Sequence, residues 1–178
     1  MIAFVSGGAR SGKSAYGEAL VRRWQQQRGG ARYYLATASA DDGEMAARIA
    51  RHRAERGSGW ITREAPLALN TALAEVEAGS VVLLDCLTLW ASRVLFDSSL
   101  DQVAATALLE GTLAQARARE IDLVVVSNDL NEGMPPDDEL SWRYLALLQA
   151  AHCQLAAEAD VVIQVIAGLP QAWKGSLP

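Results

Sequence analysis

Apolar residues along this chain gather in short unbroken runs: IAFVS (2–6), RYYLATA (32–38), SVVLLD (80–85), DLVVVSN (122–128) and DVVIQVIAG (160–168). None alternates in the manner of a strand with one wet face, so each is expected to be buried on both faces, as in a parallel sheet covered by helices. Longer stretches with helical spacing lie between them, at 14–27, 42–56, 66–78, 101–119 and 138–158. Each crossover thereby receives a helix, and the pattern predicts an α/β fold: one doubly wound domain over 1–178, with a mostly parallel sheet and helices on both faces. The Gly/Pro-bearing stretch NDLNEGMPPDDE (128–139) is the one long connection. It follows a strand's carboxyl end, where open α/β sheets bind ligands.

Composition changes this picture little. With 178 residues the chain suits one domain, and 51% hydrophobic with 21% charged residues is ordinary for a soluble protein. The net charge of −5 offers no general attraction to nucleic acid. No apolar run reaches membrane-spanning length and no signal core precedes the first strand, so a cytoplasmic protein is expected. Cys86 and Cys153 form no CxxC or Cys/His cluster and read as small buried apolar residues.

The first strand runs into GGARSGKS (7–14), which fits G-x-x-x-x-G-K-[ST] in the strand-loop-helix setting that pattern requires. Gly7, Gly8, Ala9, Arg10, Ser11 and Gly12 supply backbone N–H groups for a polyphosphate. Lys13 reaches its β/γ oxygens, and the Ser14 hydroxyl is a Mg²⁺ ligand candidate. SVVLLD places Asp85 at the end of a neighbouring strand, as a second magnesium-organising acid or as the N-cap of a helix through CLTLWASRVL. Arg10 adds a cation suited to transfer chemistry.

In DDGEMAARIARHRAERGSGW (41–60), Arg48, His52 and Arg56 recur every four residues and share one helix face. Two readings stand: a solvated basic face, or a neutral imidazole kept nucleophilic by flanking guanidinium groups that also hold phosphate oxygens. His152, in LALLQAAHCQLAA, reads as a packed helix residue.

Together these stretches resemble the bifunctional adenosylcobinamide kinase/adenosylcobinamide-phosphate guanylyltransferases of cobalamin assembly. The resemblance runs nearly the length of the chain, through GGARSGKS, YYLATA, EMAARIARHRAER, DCLTLW, VVVSN, LAAEADVV and IAGLPQAWKG. It implies a P-loop NTPase-like fold and two steps. ATP or GTP phosphorylates adenosylcobinamide; GMP then passes from GTP, through a guanylylated histidine matching His52, to the new phosphate. It also implies nucleotide contacts at Ala36, Thr37, Ala38, Arg53, Ala54, Glu55, Arg56, Glu64 and Asp85, besides the glycine loop, and a homotrimer. The chain departs from that pattern at Asp129, Asn131, Tyr144, Gln149 and His152, and Arg93 replaces an asparagine usual after DCLTLW. These regions are suited to receive the corrinoid or a neighbouring subunit. The competing expectations are a kinase of another small alcohol and a GTP/GDP-switching module. An N-K-x-D-like guanine signature is missing, which argues against the switch.

Overall fold

The computed structural model describes residues 1–38, 50, 54, 56–130 and 137–177. Seven strands form one sheet: β1 (Ile2–Gly7), β2 (Arg32–Ala36), β3 (Trp60–Glu64), β4 (Val81–Asp85), β5 (Asp122–Asn128), β6 (Val161–Ile166) and β7 (Leu169–Lys174). The order across the sheet is β3-β2-β4-β5-β1-β6-β7, with β7 alone antiparallel to its neighbour. The described helices are α1 (Lys13–Arg28), α2 (Leu69–Ala74), α3 (Leu87–Asp97), α4 (Gln102–Ala118) and α5 (Glu139–Glu158).

The predicted α/β architecture holds because the central strands bury both faces. On one face Ile2, Phe4, Leu84 and Val125 pack with Leu87, Trp90, Leu109, Leu113 and Leu148 of the later helices. On the other, Ala3, Val5, Leu83, Val124 and Val126 meet Leu20, Val21 and Trp24 of α1. Gly17 lets α1 lie close to the sheet: a Cβ there would stand 2.8 Å from Val126 Cγ2 and 3.2 Å from Leu83 Cδ1. Trp90 is fully buried, and its indole N–H donates to the Leu67 carbonyl at 3.0 Å. Such a side chain stabilises the fold in two ways, by apolar burial and by a satisfied polar handle.

Several sequence expectations are corrected. The run 160–168 is not one strand: Ala167 (φ 50°) and Gly168 (φ 83°) make a two-residue turn of left-handed residues, and the chain returns as β7. β3 was not among the predicted strands, since a short edge strand reading WITRE lacks a continuous apolar run. The helix expected over 66–78 contracts to Leu69–Ala74, beginning only after Pro66. The α3 helix is capped by Cys86 rather than Asp85 and has no side-chain cap bond. Cys153 is exposed, not buried, and Cys86 is half-buried. The expected helix 42–56 lies largely outside the described residues; Ala50, Ala54 and Arg56 within it are helical.

Candidate nucleotide site

The phosphate loop is set by its neighbours on both sides. β1 and β5 run in register to their ends, Ser6 beside Ser127 and Gly7 beside Asn128. Beyond the ladder, the Asp129 N–H donates to the Gly7 carbonyl at 2.9 Å. On the other side the Gly168 N–H, in the β6–β7 turn, donates to the Ser11 carbonyl at 2.8 Å. Gly12 then enters α1 at φ 93°, a left-handed conformation that favours glycine. Arg10 also takes positive φ, at 58°, which costs a residue with a side chain about 1 kcal/mol and marks the loop as strained.

Lys13 opens α1 and is buried, its Nζ donating to the Gly8 carbonyl at 3.1 Å. Burial lowers its pKa, while nearby Cys86 and Asp85 pull the other way. Ser14 follows, half-buried in the first helical turn. The Ser11 hydroxyl is buried and has no hydrogen-bond partner among the described residues. Between the loop and β6 runs a groove of about 340 Å³, lined by Ala9, Arg10, Ser11, Gln164 and Ile166, with Asp129 also on its wall.

The opposite flank holds a second group of sequence-predicted residues. Ala36, Glu64 and Asp85 occupy one row across β2, β3 and β4, so three separate stretches of sequence meet at the carboxyl end of the sheet. Glu64 is exposed, whereas Ala36 is buried. The Thr37 hydroxyl donates to the Cys86 carbonyl and accepts from the Cys86 N–H, both at 2.8 Å, which pins the end of β2 to the end of β4. Ala38, next along, is half-buried.

Asp85 is organised from behind. The Tyr34 hydroxyl donates to its Oδ2 at 3.1 Å. Burial, and then the Asp85 charge, push the Tyr34 pKa far up, so the phenol stays a donor. The buried Arg56 guanidinium lies 3.3 Å from the Tyr34 ring centroid, a cation–π contact. Its carbonyl accepts from Arg22 Nη2 at 3.1 Å, and the same nitrogen donates to Glu18 Oε2 at 3.0 Å. Burial raises the Glu18 pKa against the opposing Arg22 charge.

The sequence reading missed Tyr34 and the Glu18–Arg22 pair. Tyr34 sits two residues before Ala36 and so shares its face, a period-two signal hidden in an otherwise apolar run. Ala54 is exposed. His52, Arg53 and Glu55 lie outside the described residues, as do Arg48 and Asn131.

Asp85 ends β4, which lies beyond β5 from β1 and is not the adjacent strand expected from the sequence; even so, a basic loop carrying a buried lysine within the electrostatic reach of that carboxylate defines a P-loop NTPase-like protein. Solved structures share that fold. The flagellar accessory protein FlaH of Methanocaldococcus jannaschii superposes with a TM-score of 0.54 at 13% identity, covering 99% of this chain and 81% of that one. A KaiC-like protein of Pyrococcus horikoshii gives 0.53 at 10% identity, covering 92% and 69%. Within this class the chain belongs to the cobinamide kinase / cobinamide phosphate guanyltransferase family, whose sequence profile matches residues 3–173. It is 42% identical over 174 residues to the bifunctional adenosylcobalamin biosynthesis protein CobP of Pseudomonas aeruginosa, covering 96% of each. It is 33% identical to CobU of Escherichia coli, covering 95% of this chain and 97% of that protein.

Proposed function

We propose that this protein phosphorylates adenosylcobinamide and then transfers GMP from GTP to the phosphorylated product. The observation that carries the reading is the full-length family match joined to a phosphate loop whose lysine and neighbouring acid are both in place. In the first step the hydroxyl oxygen of the aminopropanol arm attacks the γ-phosphorus of ATP or GTP. The bond to the β-phosphate oxygen breaks, and the hydroxyl proton leaves to solvent. Lys13, Arg10 and the N–H groups of the loop stabilise charge on the transferred group, and they need little rearrangement because strand and helix already hold the loop.

In the second step an imidazole nitrogen of His52 attacks the α-phosphorus of GTP and pyrophosphate departs. The cobinamide phosphate oxygen then attacks the same phosphorus and releases the histidine, giving adenosylcobinamide-GDP. Arg53, Ala54, Glu55, Arg56, Glu64 and the Ala36–Ala38 segment are assigned to this nucleotide. Tyr34 acts by holding Asp85, and Arg56 backs the Tyr34 ring.

The donor set suits magnesium: a Ser14 hydroxyl and an Asp85 carboxylate are hard oxygen ligands, and this ion commonly takes one or two protein oxygens besides phosphate and water. Among the described residues no group of three or more His, Cys, Asp or Glu side chains forms a cage for an ion. When bound with nucleotide, magnesium neutralises phosphate charge.

The groove beside the loop falls within the usual range for a small-molecule site, about 300–1,000 Å³, but is too small for a corrinoid. The corrinoid is therefore assigned to an open or intersubunit cleft. A cytoplasmic homotrimer is the assembly that the family likeness supports, and no helix among the described residues is long and apolar enough to cross a membrane. Incubation with adenosylcobinamide, magnesium and ATP, followed by mass spectrometry, is expected to show addition of one phosphoryl group. Further addition of GTP should yield the GDP derivative. Phosphorylation of a simple alcohol but not of the corrinoid would instead identify a different small-molecule kinase.

A further inference from the structure

We propose that His152 is a positioning residue for the phosphate loop, holding the end of β5 through Ser127 so that the backbone after β5 fixes Gly7. The proposal rests on the reading of residues 7–14 as that loop. His152 lies on α5, on the sheet face opposite α1, with its ring 5.1 Å from that of Phe4. Its Nε2 is 2.7 Å from Ser127 Oγ, and Ser127 Oγ is 3.2 Å from Thr88 Oγ1. Thr88 Oγ1 accepts from the Asn128 N–H at 2.8 Å. Tyr144, two turns earlier on α5, donates its hydroxyl to the Thr88 carbonyl at 3.1 Å. Thus α5 contributes two hydrogen bonds, one to β5 and one to α3, at the point where β5 leaves the sheet.

Those contacts converge on residues already bound to the loop. Ser127 and Asn128 are in register with Ser6 and Gly7, and the Asp129 N–H takes the Gly7 carbonyl. The chain of hydroxyls also has a direction. With Thr88 Oγ1 accepting from Asn128, its proton can go to Ser127, whose own proton then goes to the lone pair of neutral His152 Nε2. Protonation of His152 turns that acceptor into a donor and forces Ser127 to reverse. Burial lowers the His152 pKa, with the Asp129 charge opposing, so the ring is neutral at pH 7. Facing it, β1 presents Phe4 and β5 presents Ser127, with Asp129 just beyond as the charge that acts on it.

The test compares wild type with His152→Phe, which keeps a ring against Phe4 but no nitrogen, and His152→Gln, which restores an amide within reach of Ser127. Amide hydrogen exchange, measured without nucleotide, should be about tenfold faster at Asn128 and Asp129 in His152→Phe, the scale of one lost buried hydrogen bond. The KM for Mg-ATP and Mg-GTP should rise about tenfold, with kcat within about twofold. His152→Gln should match wild type at pH 7.5 and lack the rise in KM that the proposal expects of wild type as pH falls below about 6.5. Wild-type exchange and KM in His152→Phe, or an acid limb retained in His152→Gln, would overturn the proposal. Should His152→Phe fail to fold, the pH comparison with His152→Gln still decides. A wild-type protein that takes up neither Mg-ADP nor Mg-GDP would overturn the phosphate-loop reading instead, and amide exchange would then judge the hold on β5 by itself.

Discussion

Two polar clusters close the carboxyl end of the sheet, one on each face, and they are made of different chemistry. On the α1 face Lys13, Asp85, Tyr34, Arg56, Arg22 and Glu18 form a charged assembly in which nearly every member neighbours an ion or a strong dipole. On the opposite face the hydroxyls of Thr88 and Ser127 form a neutral chain ending in the His152 imidazole, with Tyr144 bonded to the Thr88 carbonyl beside it. On the proposed function the charged cluster puts fixed charge beside the nucleotide's polyphosphate, and its worth is electrostatic. The neutral cluster satisfies backbone groups at the end of β5, and its worth is positional. One loop thus receives its charge from one face and its placement from the other.

The largest effect that separates the two faces should come from Lys13→Met. Loss of its ammonium is expected to cut turnover by about 10²–10³-fold in both transfers, without loss of folding, since a buried charge is being removed. A comparable fall in melting temperature would show that Lys13 serves structure more than charge. Next is Thr88→Val on the neutral face, which leaves the Asn128 N–H without the Thr88 acceptor and Ser127 with His152 alone. A loss of about 1–3 kcal/mol in denaturant unfolding is expected, with kcat far less affected than by Lys13→Met.

Tyr34→Phe sharpens the contrast further. It keeps an aromatic face beneath Arg56 and removes only the hydroxyl on Asp85, so a fall of about three- to tenfold in kcat/KM is expected, with stability lowered by about 1 kcal/mol. The smallest effect is one of pH. Because burial holds the folded-state pKa of His152 below its unfolded value, the unfolded chain binds more protons between the two. This contribution to stability is therefore full above about pH 6.5 and is lost as pH falls through the lowered folded value. His152→Gln should flatten that slope in thermal unfolding measured across the acid range, and an unchanged slope would assign it to other groups.

The charged face was the more legible in the sequence. Gly7 to Ser14 announce their geometry because a phosphate loop needs glycines and a lysine at fixed spacing, and Asp85 follows from its place at the end of an apolar strand. Ala36 and Glu64 were attached to the site only through family resemblance; parallel register is what sets them beside Asp85. The neutral cluster had no local signature. Its members come from α3, β5 and α5, and a threonine, a serine, a tyrosine and a histidine far apart in sequence acquire meaning only when those elements pack. The β6–β7 turn escaped for a related reason: Ala-Gly is a weak turn signal, and an apolar strand running into it reads as one longer run.

Transfer of GMP through His52 is read out by incubation with magnesium and GTP labelled in the α-phosphate, then denaturing electrophoresis. Wild type is expected to retain a covalent label that is labile to acid and stable to alkali, as a phosphoramidate is, and His52→Ala is expected to retain none. An undiminished label in His52→Ala, or no label on a wild-type protein that binds GTP, would contradict the account.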